Sequence, residues 1–329
     1  MTVKTTVVGS YPKPPHEGGE FALRKTLWAV DRGEATDADV KAAQDDLVRE
    51  IIAEQAEAGV GLVTDGQARW ADAQTRFAEG IEGFTIGGLI RYFDNNTYYR
   101  QPVIKGPVSR RLPITVEEFT FAKENSPVPV KAVLVGPYTL AALSQNDSEI
   151  EINDLVHDLA VALNDEARDL VAAGAEYVQF DEPILASVPG YTPGDLAIMR
   201  DASEVLVEGV EATTILQTFF GDVTGQGSAL FELPFDVFGL DLVAGPANRD
   251  LLGDLPEGKT LQAGIVDARN TKLEPQDVLV DLLEELNGTV PAERLWVSPS
   301  AGLEYLPREA AQAKCRRLAE ATARFEEVS

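Results

Sequence analysis

Carboxylates and hydroxyls recur in this 329-residue sequence just after short apolar, β-branched runs. Ser10 follows TTVVG, Asp65 follows GLVT, Asp181 and Glu182 follow YVQF, and Thr218 follows TTILQ. Asp241 follows VFGL, Asp267 follows AGIV and Ser298 follows LWV. Carboxylates at strand ends can hold an ammonium group or act as a general base. In Asp181-Glu182-Pro183, alternation sends one acid toward the interior and the other to the loop, and Pro183 ends the strand. The competing reading is a strand end whose acid is satisfied by backbone N–H groups. Asp65-Gly66-Gln67-Ala68-Arg69 has the same placement and reads equally as a turn with an Asp–Arg pair.

Other chemistries have less support. His16 sits in the Pro/Gly-rich segment PKPPHEGGE, as a loop residue or part of a mobile active-site loop, and His157 lies within a helical pattern as a surface residue. Cys315 is the only cysteine, so an intramolecular disulfide and a multi-thiolate metal site are both excluded. No GxGxxG or phosphate loop stands at a strand–helix junction.

The elements that must carry these residues alternate. Strands are expected at 5–9, 61–65, 131–136, 177–181, 214–219, 237–242, 261–266 and 295–298. Helices are expected at 36–58, opened by a Thr36/Asp39 capping box, and at 152–173, 193–208, 274–286 and 307–326. Eight strands alternating with helices predict an α/β fold, a (β/α)8 TIM barrel, with an open doubly wound sheet as the alternative. The stretch 69–129 is too long for one βα unit. It reads as an insertion after the second strand, with helices near 71–80 and 115–124 around a hairpin-like aromatic segment, IRYFDNNTYYRQPVIKGPV. Residues 1–329 are expected to form one barrel domain, with the insertion over the C-terminal mouth.

The ordered segments VVGSYPKP, DGQARWAD, YFDNNTYY, VLVGPYTL, VQFDEPIL, LQTFFGDV, FGLDLVAGP, AGIVDARN and LWVSPSAGL resemble the cobalamin-independent methionine synthase family over essentially the whole chain. That family transfers a methyl group from methyltetrahydropteroylglutamate to homocysteine on the second of two related barrels. YFDNNTYY, LQTFFGDV, LDLVAGP and WVSPS look more like the first barrel. The resemblance implies a methyltransferase of methionine biosynthesis, with Ser10, Asp65, Gln67, Asp181 and Glu182 around the amino-acid substrate. Gln67 stands where the family has a Glu, and Arg24 and Lys25 match basic residues that could meet the folate's polyglutamate tail. The family's zinc positions, a His-x-Cys pair, a Glu and a second Cys, fall on Thr218, Phe220, Asp241 and Ala301, of which only Asp241 could ligate. The resemblance therefore implies a barrel without a resident zinc that works beside a second, zinc-bearing barrel. The alternatives are a self-sufficient thiol methyltransferase with another donor, and a non-catalytic homocysteine- or methionine-binding module.

The 54 acidic residues exceed the 28 basic ones, a net charge of −26 spread along the chain. Such a field repels nucleic acid and anionic membranes, and with no long apolar run or leader pattern the chain is expected to be cytoplasmic. It also suits molar salt, where a Debye length of about 3 Å screens the self-repulsion. We expect the melting temperature to rise between low salt and molar KCl in scanning calorimetry; a flat or falling value excludes that adaptation.

Overall fold

The computed structural model describes residues 3–328. In chain order it contains β1 (Lys4–Thr5), α1 (Ala22–Asp31), α2 (Asp37–Glu57), α3 (Ala73–Gly80), β2 (Ile81–Arg91), β3 (Tyr98–Arg110) and α4 (Val116–Glu124). Then come β4 (Ala132–Val135), α5 (Pro137–Ala142), β5 (Gln145–Asn146), α6 (Ile152–Ala172), β6 (Tyr177–Asp181), α7 (Leu196–Val207) and β7 (Thr213–Gln217). The chain ends with β8 (Val237–Asp241), β9 (Thr260–Val266), α8 (Gln276–Asn287), β10 (Leu295–Pro299) and α9 (Arg308–Val328), with 3-10 turns between several of these.

Seven strands form one parallel sheet in the order β1-β10-β9-β8-β7-β6-β4. Parallel strands covered by helices bury both faces, which is why VFGLD of β8 is buried at every position. The sheet is curled and TIM-barrel-like. The second strand expected at 61–65 is reduced to two isolated parallel bridges, Leu62 to Thr6 and Val63 to Val130. These residues stand between the sheet's two end strands: Leu62 N donates to Thr5 O (3.0 Å) and Val63 N to Pro129 O (3.1 Å). The run is cut short because Gly66 (φ 68°) and Gln67 (φ 52°) turn the chain through the left-handed region directly after it. The first strand likewise stops at Thr5, short of the expected 5–9.

The helices follow their patterns. Thr36 caps α2 in a reciprocal box, accepting from Asp39 N while Asp39 accepts from Thr36 N. Helix α6 buries Leu155, Leu159, Leu163 and Leu170, one apolar stripe at helical spacing. Among the described residues no helix is long and apolar enough to cross a membrane.

Within residues 69–129 the chain forms a hairpin longer than the aromatic segment suggested. Strands β2 and β3 pair antiparallel from Ile81 opposite Arg110 to Arg91 opposite Tyr98. The register breaks after Glu82, where Gly83 (φ 90°) lies so close to Pro107 O that a Cβ would stand 2.4 Å away. The hairpin base is pinned to α6 by one buried acid. Glu166 accepts from Arg110 Nε (2.7 Å), Ile114 N (2.8 Å), Thr115 N (2.6 Å) and Thr115 Oγ1 (2.8 Å). Removing that carboxylate leaves two buried backbone donors without their acceptor and the Arg110 guanidinium with Asp169 (2.6 Å) as its remaining anion. Glu166→Ala is expected to cost about 3–5 kcal/mol in denaturant unfolding; a cost below about 1 kcal/mol would show that the hairpin does not depend on this anchor.

Candidate functional site

A cavity of ≈ 340 Å³ opens among the C-terminal ends of the strands and the hairpin tip. Its charged lining residues are Lys13, Asp72, Asp181 and Glu304, and its aromatic ones include Trp70, Tyr92, Tyr99, Phe219, Phe220 and Tyr305. Each comes from a segment that has just left a strand or from the insertion, which is how a parallel curled sheet gathers side chains around one mouth.

Asp181 ends β6 and is held from below. Lys131, buried, donates through Nζ to Val7 O (2.7 Å) and to Gln179 Oε1 (2.6 Å). That fixes the amide, so Gln179 Nε2 donates to Val8 O (2.8 Å) and to Asp181 Oδ1 (2.6 Å). Burial raises the Asp181 carboxyl to about 7 against its bond from Gln179 and the field of Lys131, with Glu304 and Glu182 adding to the rise. Burial also lowers the Lys131 ammonium to about 7, opposed by Asp181.

Opposite Asp181, Glu304 faces the cavity from the segment after β10. Its carboxylate accepts from Ser10 Oγ and hydrogen-bonds Tyr305, and enclosure by the cavity walls raises its pKa. Gln67 lines the same space beside Gly9, where a Cβ would stand 2.9 Å from Gln67 Nε2. Lys13 donates to Trp70 O, and burial lowers its pKa against the pull of Glu304, Asp65 and Asp72. One ammonium thus faces three carboxylates, an arrangement that favours a cationic group on a small ligand.

The structure brings Ser10, Gln67 and Asp181 together and separates the other sequence candidates. Glu182 is fully buried below the cavity, accepting from Tyr138 N (2.8 Å), Thr139 N (2.7 Å) and Thr139 Oγ1 (2.6 Å) at the start of α5. Asp65 accepts from Gln67 N (2.9 Å) and shapes the turn, while Arg69 pairs with Asp45 of α2 (2.6 Å). Arg24 and Lys25 are exposed on α1, the first stacked over Trp28 and the second paired with Glu20 (2.8 Å). His16 bonds Glu54 (2.9 Å), which also holds Arg308, and His157 lies on the surface of α6. Glu304, Lys13, Lys131 and Gln179 were not singled out from sequence. A lysine opening the apolar run KAVLVG, and a second one in YPKPP after a strand, were the available signals.

The four positions that the resemblance assigned to zinc do not form a donor set. Thr218 Oγ1 donates to Gly239 O (3.0 Å). Asp241 accepts from Phe220 N (3.0 Å), Val243 N (2.9 Å) and Ala244 N (2.8 Å), and burial raises its carboxyl to about 6. Ala301 is buried and apolar. Phe220 sits at φ 73°, uncommon for a bulky residue, and its ring meets Phe219 (4.6 Å), Phe93 (5.8 Å), Tyr305 (5.9 Å) and Tyr92 (6.0 Å) between centroids. Cys315 is buried in α9, away from the cavity lining, its thiol pushed up to about 12 by burial. Among the described residues no group of three or more His, Cys, Asp and Glu could hold a metal ion. The residues present do not fit zinc.

The family model for the catalytic domain of the cobalamin-independent synthases matches residues 3–324. A methionine synthase of Saccharolobus solfataricus is 33% identical over 320 residues, covering 97% of this chain and 93% of that protein. One from Sulfurisphaera tokodaii is 31% identical over 323 residues, covering 97% and 91%. In fold the chain is similar to a B12-independent methionine synthase from Shewanella sp. W3-18-1, solved in complex with selenomethionine. The TM-score is 0.82 at 22% identity, covering 100% of this chain and 99% of that one. The relatives are thus about as long as this chain, and the matched model is that of the catalytic domain.

If Asp181 receives an ammonium, binding needs its ionised form, which exists above about pH 7 and is lost below it. Affinity for an α-amino acid is therefore expected to fall toward tenfold per pH unit below 7. Lys131→Met removes a positive field and should move that midpoint to higher pH; titration calorimetry giving one pH-independent affinity for both proteins excludes the role.

Proposed function

The chain belongs to the cobalamin-independent methionine synthase family, and we propose that within it this chain is the zinc-less half of a two-chain methionine synthase. In this reading residues 1–329 form one domain, a complete (β/α)8 barrel in which Leu62 and Val63 stand in for the second strand. The barrel holds an amino acid by its ammonium between Asp181 and Glu304, with Ser10 and Gln67 beside it. The exposed Arg24 and Lys25 meet the anionic tail of the methylated folate. The separate barrel would supply the zinc, and with it the activation of the homocysteine sulfur. The observation that carries the reading is the contrast between an organised ammonium site and four zinc positions filled by Thr218, Phe220, Asp241 and Ala301.

What this chain's own residues do follows from the geometry. Gln179 holds Asp181 in one orientation, and Lys131 holds Gln179. Ser10 donates to Glu304 and keeps that carboxylate at the cavity wall. Tyr92 and Tyr305, kept as neutral phenols by burial, close the hairpin side.

A second reading has one observation in its favour: relatives of nearly this length carry the name methionine synthase. In it the chain is a self-sufficient thiol methyltransferase, with metal on Asp241 and further ligands such as His16. The three backbone donors on Asp241 and the commitment of His16 to Glu54 weigh against it.

Methionine formation from homocysteine and methyltetrahydropteroyltriglutamate separates the two. We expect no turnover from this chain alone and at least a tenfold gain when it is added to a zinc-bearing barrel from the same genome. An unchanged partner rate would remove the two-chain reading, and turnover by the isolated chain with stoichiometric metal would establish the second.

A further inference from the structure

The residues that replace a zinc site also define a ligand. Phe220 lines the same cavity as Asp181, Ser10 and Glu304, so an amino acid with its ammonium at the carboxylates sends its side chain toward the ring cluster. That cluster joins Tyr92, Phe93, Phe219, Phe220 and Tyr305 through edge-to-face and tilted contacts of 4.6–6.0 Å. Phe220 is buried, and its position is enforced. Its N–H is taken by Asp241 (3.0 Å), and at the next residue, Gly221, a Cβ would stand 2.2 Å from Ser187 O. The ring cannot be withdrawn without breaking that turn.

The charges facing this space are Asp181 from β6, Glu304 after β10, Asp72 before α3 and Lys13 after β1, with the phenols of Tyr92 and Tyr305. Behind it lie Asp241, tied to backbone, and Arg269, stacked 5.5 Å from the Phe220 ring and outside the cavity lining. An anionic sulfur there meets three carboxylates, one ammonium already turned to Trp70 O, and the rings. A neutral sulfur carrying a methyl group meets aromatic surface, where thioether–ring contacts and methyl burial both favour it.

We infer that this cavity is a metal-independent site for an α-amino acid with a neutral thioether side chain, one that takes the thioether in preference to the thiol and rejects the thiolate. It inverts the preference a zinc site imposes, in which the sulfur is bound deprotonated. The inference rests on the amino-acid pocket of the reading above and not on its partner chain, so it can fail alone.

The test is titration calorimetry of the isolated chain with L-methionine and L-homocysteine, at pH 7 and pH 9, with chelator or one equivalent of zinc. Methionine is expected to bind about fourfold more tightly at pH 7, the worth of one buried methyl group. The ratio should widen at pH 9 as the thiol ionises, with methionine itself controlling for titration of the amine, and zinc should change neither affinity. Homocysteine binding more tightly, gaining on methionine at pH 9, or tightening with zinc would overturn the inference, as would binding of neither amino acid. Phe220→Ala should weaken methionine about tenfold and homocysteine less; an equal loss for both would also count against it, and the wild-type titrations decide the question if that variant fails to fold.

Discussion

The chemistry of this molecule hangs on a buried ammonium. Lys131 lies inside the curled sheet with its Nζ shared between Val7 O and Gln179 Oε1. A desolvated cation in such a place is costly unless it is bonded, and its bonds are what orient the Gln179 amide. With Lys131 on its oxygen, the amide has only its nitrogen to offer the rim, and that nitrogen donates to Asp181. Lys131 and Gln179 tie the segment after β1 and the residue before β4 to β6. The interior polar chain therefore sets both the alignment of the sheet and the acceptor that faces the cavity.

Much of the fold was legible because parallel strands buried on both faces leave long apolar runs with polar punctuation. Tyr177–Asp181 was read to the residue, and the capping box at Thr36 located the start of α2. The failures have physical causes, one local and two at a distance in sequence. The stretch 61–65 has a strand's composition, but Gly61 donates to both Thr5 O and Thr5 Oγ1, and the left-handed pair Gly66-Gln67 ends it. Helix α5 is only six residues long and takes its N-terminal partner from Glu182, 44 residues beyond Tyr138 in the chain, which no local pattern records. The hairpin reached beyond its aromatic centre because its base is held by Glu166, again at a distance in sequence.

The site was legible only in part, for a related reason. Alternation identified Asp181 and Glu182 as a pair with opposite directions, but Glu182, expected at the loop beside the substrate, is buried under a helix terminus while Asp181 faces the cavity. Choosing between them needed the third element, α5, which Gly136 admits because a Cβ there would stand 2.2 Å from the Glu182 carboxyl carbon. Glu304 escaped notice because it follows β10 by several residues, and only the fold back toward Ser10 brings it to the rim. Lys131 escaped because a lysine at the mouth of an apolar run looks like a strand boundary, while here its side chain runs inward.

The four positions that the resemblance assigns to zinc are each satisfied here without a metal. A metal centre holds several strand ends together, so its removal leaves polar groups that need other partners. Asp241 has found three backbone N–H groups, Thr218 a carbonyl of the adjacent strand, and the remaining two positions are apolar. Phe220 then does by packing what coordination does elsewhere: it joins β7, the hairpin tip and the segment after β10 through ring contacts. That packing fixes the cavity walls and presents a neutral aromatic surface to the space beside Asp181 and Glu304. Building a zinc site here would therefore require more than three ligands. The ring cluster that now carries the geometry would have to be dismantled at the same time.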